Sequence, residues 1–185
     1  MAEQFEQLDD KHIQFIENQH LFFVGTAGQE GAVNVSPKGM DSFRVIDNTK
    51  IVWLNLTGSG NETAAHVLEN NRMTIMFCSF DKQPLILRLY GKAKAIHQRD
   101  EVWGSLAEKF PDYAGMRQFF ELTIDLVQTS CGYAVPYYEH TGERPSLKKW
   151  AEGKGQDGIR DYWAEKNTKS LDGYDTGLLE EGEGV

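Results

Sequence analysis

Between residues 22 and 129 the chain is a succession of short apolar runs with period-two alternation, broken by turn-forming residues at hairpin spacing, and this pattern leaves few folds open. Residues 22–27 and 32–36 flank Gly28-Gln29-Glu30-Gly31, whose two glycines supply the positive dihedrals of a short hairpin. Residues 42–46 and 50–55 repeat the arrangement around Asp47-Asn48-Thr49, with Asp and Asn as turn formers. Longer strands are predicted over 73–80 and 85–97; Gly91 inside the second marks a bulge or a close backbone approach. A last strand is predicted over 119–129, where Leu122, Ile124 and Leu126 alternate. Strands joined by tight turns pair antiparallel, whereas a parallel sheet needs helical crossovers. About six strands with few crossovers therefore predict a mainly β fold with flanking helices, built as a closed antiparallel barrel.

The helical segments sit around this middle. Leu8, Ile13, Phe15 and Ile16 recur near helical spacing, which predicts an amphipathic helix over residues 1–20. Ala64, Ala65, Val67 and Leu68 predict a short helix over 63–71, and Val102, Trp103, Leu106 and Phe110 another over 101–110. From about residue 139 the composition shifts to Gly, Lys, Glu and Asp, with an amphipathic stretch over 158–166. Three parts follow: an N-terminal helix (1–20), a barrel (21–130), and a C-terminal extension (131–185) that packs on the barrel or on a partner subunit and ends, from residue 178, in a flexible acidic tail.

Charge and composition remove whole classes of function. A formal charge of −9 offers phosphate backbones no long-range attraction, so nucleic acid is not an expected partner. No run of 18 apolar residues predicts a membrane span, and the polar start Met1-Ala2-Glu3-Gln4 does not read as a signal peptide, which makes the cytoplasm the expected address. Two cysteines, Cys78 and Cys131, make neither a disulfide framework nor a metal-ligand spacing, and Cys78 reads as strand packing. His12, His20, His66, His97 and His140 are too dispersed for a metal motif, and Gly58-Ser59-Gly60 lacks the spacing of a nucleotide loop. His66 itself reads as a capped or surface residue rather than a catalyst.

One stretch carries chemistry. Asn34-Val35-Ser36-Pro37-Lys38-Gly39 closes an alternating strand and sets a single cation beside a proline and a glycine; a later strand ends in Thr57-Gly58-Ser59-Gly60-Asn61-Glu62-Thr63. A strand-end lysine facing a small polar loop suits a phosphorylated planar cofactor, because a cation fixed in a partly desolvated pocket is worth more than one in water. The alternative for Lys38 is plain solvation after a strand-ending proline. Ser59 and Asn61 suit phosphate contact or helix capping, and Arg88, between Leu87 and Leu89, either points inward to an anion or outward to water.

The ordered set Ser36-Pro37-Lys38-Gly39, Trp53-Leu54-Asn55-Leu56, the Gly60-Asn61 turn, a short helix ending Glu69-Asn70-Asn71-Arg72, and Arg88-Leu89-Tyr90-Gly91 resembles the pyridoxamine-phosphate-oxidase-like family of FMN-binding split barrels. The resemblance implies a six-stranded antiparallel split barrel, a homodimer, and FMN held where the subunits meet. It implies cofactor contacts from Ser36, Pro37, Lys38, Gly39, Asn55, Ser59, Asn61, Glu62, Thr63 and Arg88, with Trp150 reaching the pocket from the extension. It assigns no covalent catalyst: the flavin carries electrons and the protein supplies orientation and charge.

The chain departs from that family in two places. Where the oxidases proper carry a Ser-Arg-Lys phosphate grip, this chain has Glu62 and Thr63, so phosphate binding is expected to lean on Lys38, Arg88, hydroxyls and the amides at a helix start. The C-terminal Arg-and-His segment of the pyridoxal-phosphate-forming enzymes is replaced by Ser170-Leu171-Asp172-Gly173-Tyr174, which argues against their substrate. The implied activity is an FMN-dependent oxidoreductase of unknown substrate. The alternatives are a non-enzymatic FMN-binding or sensing module and a barrel that holds haem.

Overall fold

Antiparallel pairing runs through almost the whole chain. In the computed structural model, which describes residues 2–179, eight strands form one sheet: β1 (Glu3–Phe5), β2 (Phe22–Thr26), β3 (Asn34–Lys38), β4 (Phe43–Asp47), β5 (Lys50–Leu56), β6 (Arg72–Cys78), β7 (Ile86–Ile96) and β8 (Met116–Ser130). Their order is β3-β2-β6-β7-β8-β5-β4, with β1 on β8. The seven segments read as strands all form, and residues 3–5, read as helix, instead add an eighth at the edge of β8 beyond β5, with Phe5 opposite Val127, so the count exceeds the expected six. β3 and β4, the two ends of the order, are not joined by backbone pairing. The sheet curls around its core and stays split there.

β7 and β8 form the spine, paired from Ile86↔Ser130 to Ile96↔Phe119. Gly91 sits at a register shift in that ladder, and a Cβ at this position would overlap the carbonyl oxygen of Thr123. Only glycine lets the two backbones approach so closely. The barrel interior holds Phe22, Val24, Trp53, Ile75, Phe77, Leu87, Leu89, Phe120 and Leu122, and Trp53 stacks on Phe120 with centroids 4.7 Å apart. Phe43 of β4 meets Phe22 and Phe77 edge-on, at 4.9 and 5.1 Å, so aromatic packing spans the split that hydrogen bonds leave open. Cys78 ends β6 as a buried packing residue.

Among the described residues four helices flank the barrel. α1 (Asp10–Glu17) is shorter than its expected twenty residues because Asp9 caps it: the Asp9 carboxylate accepts from His12 N–H, and Asp9 N–H donates to His12 Nδ1. α2 (Glu62–Asn70) ends at Asn71, whose φ of 50° turns the chain into β6. α3 (Trp103–Ala107) covers the outer side of β5 and β8, where Leu54, Phe110 and Phe119 make a second apolar cluster. α4 (Ser146–Lys166) is broken at Gly155, with φ 66°. Among the described residues no helix is long and apolar enough to cross a membrane.

The C-terminal extension packs on the barrel of its own chain. Trp163 Nε1 donates to Thr57 Oγ1 at 2.8 Å, Ala32 N–H donates to Asp172 Oδ2 at 2.9 Å, and Arg99 donates to the carbonyls of Gly177 and Leu178. Leu178, expected to open a frayed tail, is buried with Ile159 and Trp163. The rest of that expected tail, residues 180–185, lies outside the described residues.

Candidate functional site

Period two makes β3 a polar comb. Asn34, Ser36 and Lys38 fall on one face, with Val35 and Pro37 on the other. Register decides the direction: Ser36 lies opposite Val24 and Lys38 opposite Phe22, both core residues, so the comb faces inward. As β3 ends the sheet, its teeth stand at the split. Ser36 Oγ donates to Asn34 Oδ1 at 2.9 Å, and Asn34 Nδ2 reaches Thr63 Oγ1 at 3.2 Å and Thr26 Oγ1 at 3.3 Å. Thr26 Oγ1 in turn lies 3.1 Å from Nδ1 of His66. His66 is 1% exposed, so the sequence reading of it as a surface residue is corrected: α2 turns this face onto β2.

The facing wall is polar too. Lys38 Nζ makes a long contact, 3.5 Å, with Asn55 Oδ1 and lies 5.3 Å from the centre of the Trp53 ring. Asn55 pairs across the ladder with Gln118, whose Oε1 accepts from Asn61 Nδ2 at 3.3 Å; the same Asn61 group reaches the Asn167 carbonyl. Asn61 stands at the N-cap position of α2, yet its side chain makes no capping bond. At the next step of the ladder Leu56 pairs with Met116, which leaves Arg117 as the extra residue of a bulge. Its Nη1 donates to Asn167 Oδ1 at 2.8 Å and to the Gly58 carbonyl at 3.5 Å.

The electrostatics of this end are unusual. Burial, and then the Arg117 charge, push the Lys38 pKa down to about 8; burial pushes Arg117 down to about 10. Among the described residues neither cation is paired with a carboxylate. Asn61 Oδ1, Gln118 Nε2, Arg117 Nε and His66 Nε2 are buried here without partners. Each such orphan costs on the order of 1–3 kcal/mol in a folded protein, so a group of them at one place marks a site kept for something other than stability.

Ser36, Lys38, Asn55, Asn61 and Thr63 are thus brought together. Pro37 lies on the opposite, exposed face of β3, and Gly39 follows it where a Cβ would stand 3.4 Å from the His20 carbonyl oxygen. Pro37, Lys38 and Gly39 line one side of a cavity of about 980 Å³ whose far side holds Phe80, Tyr138 and the stacked imidazoles of His20 and His140, centroids 3.8 Å apart. Ser59 is exposed beside the turn. Glu62 turns its carboxylate to the Leu171 N–H at 2.8 Å. Arg88, opposite in sense to the buried Leu87 and Leu89, lies on the outer face and donates to Ser130 Oγ at 3.2 Å. Trp150 packs edge-on against Tyr162 within α4.

Asn34, Arg117, Gln118 and Asn167 belong to the site and were not singled out in the sequence. Asn34 was legible, two residues before Ser36 on the same face. Arg117 was hidden because a bulge re-aims a side chain without leaving a pattern.

The architecture has counterparts of known structure. HupZ of Group A Streptococcus superposes with a TM-score of 0.52 over 64% of this chain and 91% of its own, at 20% identity. A putative pyridoxamine 5'-phosphate oxidase of Lactobacillus delbrueckii superposes with a TM-score of 0.53 over 66% of this chain and 94% of its own, also at 20% identity. At these identities the likeness is one of fold. In sequence, the chain is 36% identical over 189 residues to ustO of Aspergillus flavus, a pyridoxamine 5'-phosphate oxidase family protein, covering 91% of this chain and 75% of that protein. The family model described as pyridoxamine 5'-phosphate oxidase matches residues 8–131, which span every strand from β2 to β8, and by this match the chain belongs to that family.

Proposed function

We propose that the protein is an FMN-binding flavoprotein, an oxidoreductase working as a homodimer. The observation that carries this is Lys38: a cation with a depressed pKa, standing in the polar split beside Asn55 with no carboxylate partner among the described residues. The residues fit a phosphorylated planar group. A buried cation without a counter-ion is costly, and an anionic ligand removes the cost. Lys38 and Asn55 would hold charge at the split, Ser36 and Gly39 would offer the strand end to a ring edge, and Asn61 and Thr63 would present polar groups from the helix start.

FMN, when bound, supplies two-electron redox chemistry. The chain's own residues bind it, orient it and hold a positive charge beside it. With Lys38 protonated below about pH 8, negative charge developing near Nζ is stabilised without a proton having to move.

The exposed face of β3 supports the second subunit. Val33, just before β3, is 74% and Val35 66% exposed, and Tyr133, Tyr137 and Tyr138 are exposed on the segment after β8. An apolar strand edge of this kind invites a partner, and a second copy of the chain is the proposed one. The working compartment in this reading is the cytoplasm, where the free thiols of Cys78 and Cys131 stay reduced.

The visible spectrum of the purified protein tests the cofactor. Flavin bands that stay with the protein through gel filtration support the reading; a Soret band in their place means haem, and a colourless protein that FMN does not titrate sinks both. Reduction of the bound flavin by a nicotinamide donor, followed by turnover with an acceptor, separates an enzyme from a binding module.

A further inference from the structure

We propose that Arg117, set into the split by the bulge in β8, is the second cation of an anion cradle and binds the phosphomonoester of the flavin nucleotide. The assignment rests on the flavin reading above, and it names the part of the ligand that the cradle recognises.

Three observations converge on Arg117. It is 2% exposed, and a guanidinium carries five N–H donors. Its hydrogen bonds to protein, to Asn167 Oδ1 and the Gly58 carbonyl, are both through Nη1, while Nε is buried without a partner among the described residues. Neutral oxygens do not compensate a buried charge. Lys38 lies close enough for the Arg117 charge to act on it. Two cations that repel each other inside a chain of net charge −9 are an arrangement that folding alone penalises, and an anion between them reverses its sign. The turn itself offers no competing cation. Gly58 to Thr63 contains none, and the charged residue there, Glu62, is an anion engaged with the Leu171 amide. A dianionic phosphate is matched by the planar fork of Arg and the point charge of Lys.

The test is titration of flavin-free protein, read by quenching of flavin fluorescence, with FMN and with riboflavin, which lacks only the phosphate. Wild type is expected to prefer FMN. Arg117→Gln is expected to weaken FMN binding by roughly 10- to 100-fold, the scale of a charged hydrogen bond, and to leave riboflavin unchanged. Arg117→Lys should recover part of the loss. An unchanged FMN-to-riboflavin ratio in Arg117→Gln, or an equal loss for both ligands, overturns the assignment. If that variant does not fold, wild type decides: inorganic phosphate should compete with FMN and not with riboflavin, and absence of competition overturns it. If wild type binds neither flavin, the flavin reading fails. The cradle then stands only if inorganic phosphate raises the Tm of wild type more than that of Arg117→Lys, and falls if the two rise equally or neither rises.

Discussion

Lys38 of β3 and Asn55 of β5 meet at the open side of the sheet, where β3 and β4 are not joined by backbone pairing among the described residues, ammonium to amide oxygen at 3.5 Å. The contact ties the strand edge to the facing wall while leaving the lysine charge uncompensated, and its consequences run with pH. In the unfolded chain the ammonium titrates near 10.5, in the folded protein near about 8. Between those values the unfolded state holds the extra proton, so the Lys38 contribution to stability rises as pH increases through that window, and the burial cost is fully felt below it. Urea unfolding at several pH values from 7 to 10.5 should show the rise in wild type and a smaller one in Lys38→Met. Affinity for FMN should move the other way, falling above about pH 8 as the cation is lost.

Gly91→Ala places a methyl group against the Thr123 carbonyl in the most extensive ladder of the sheet. Relief requires the β7–β8 spine to spread. We expect a loss of roughly 3 kcal/mol, the upper range for overpacking, seen as a Tm lowered by roughly 6–12 °C. A Tm within one degree of wild type would contradict the close approach.

Besides the N–H that closes α4 on the Trp163 carbonyl, Asn167 makes four bonds: it accepts from Arg117, Asn61 and Thr176 and donates to the Gly58 carbonyl. Asn167→Ala removes two of them and leaves Arg117 short of its best acceptor. A loss of roughly 2–4 kcal/mol is expected, and limited proteolysis should cut the segment after residue 167 sooner than in wild type. Equal cleavage rates would mean that other contacts hold the extension.

Val35→Glu puts a carboxylate on the exposed face of β3 without touching the barrel interior. Light scattering should report a dimer for wild type and a monomer for the variant, with far-UV circular dichroism unchanged. A variant that stays dimeric moves the interface elsewhere.

Much of the fold could be read one strand at a time. The two hairpins, the turn at Asp47, the helix before Asn71 and the glycine in β7 each follow from a local rule of turn chemistry or alternation, and each is where it was expected. Residues 3–5 were misread because three residues hold too little pattern to separate a strand from the start of a helix; the free edge of β8 decides it. In the site, Lys38 stood out because it is alone beside Pro37 and Gly39. Arg117 did not, since the residue before Gln118 looks like any strand residue until the ladder slips.

The alternation of β3 and the turn residues around it determine that Asn34, Ser36 and Lys38 share a face, because the period of a strand is a property of its own backbone. Which face meets the interior, which edge of the sheet stays open, where β8 bulges, and that Asn167 arrives beside Arg117 from fifty positions away are settled only when the barrel closes around its core. Those outcomes depend on contacts between residues distant in sequence, and no local window carries them.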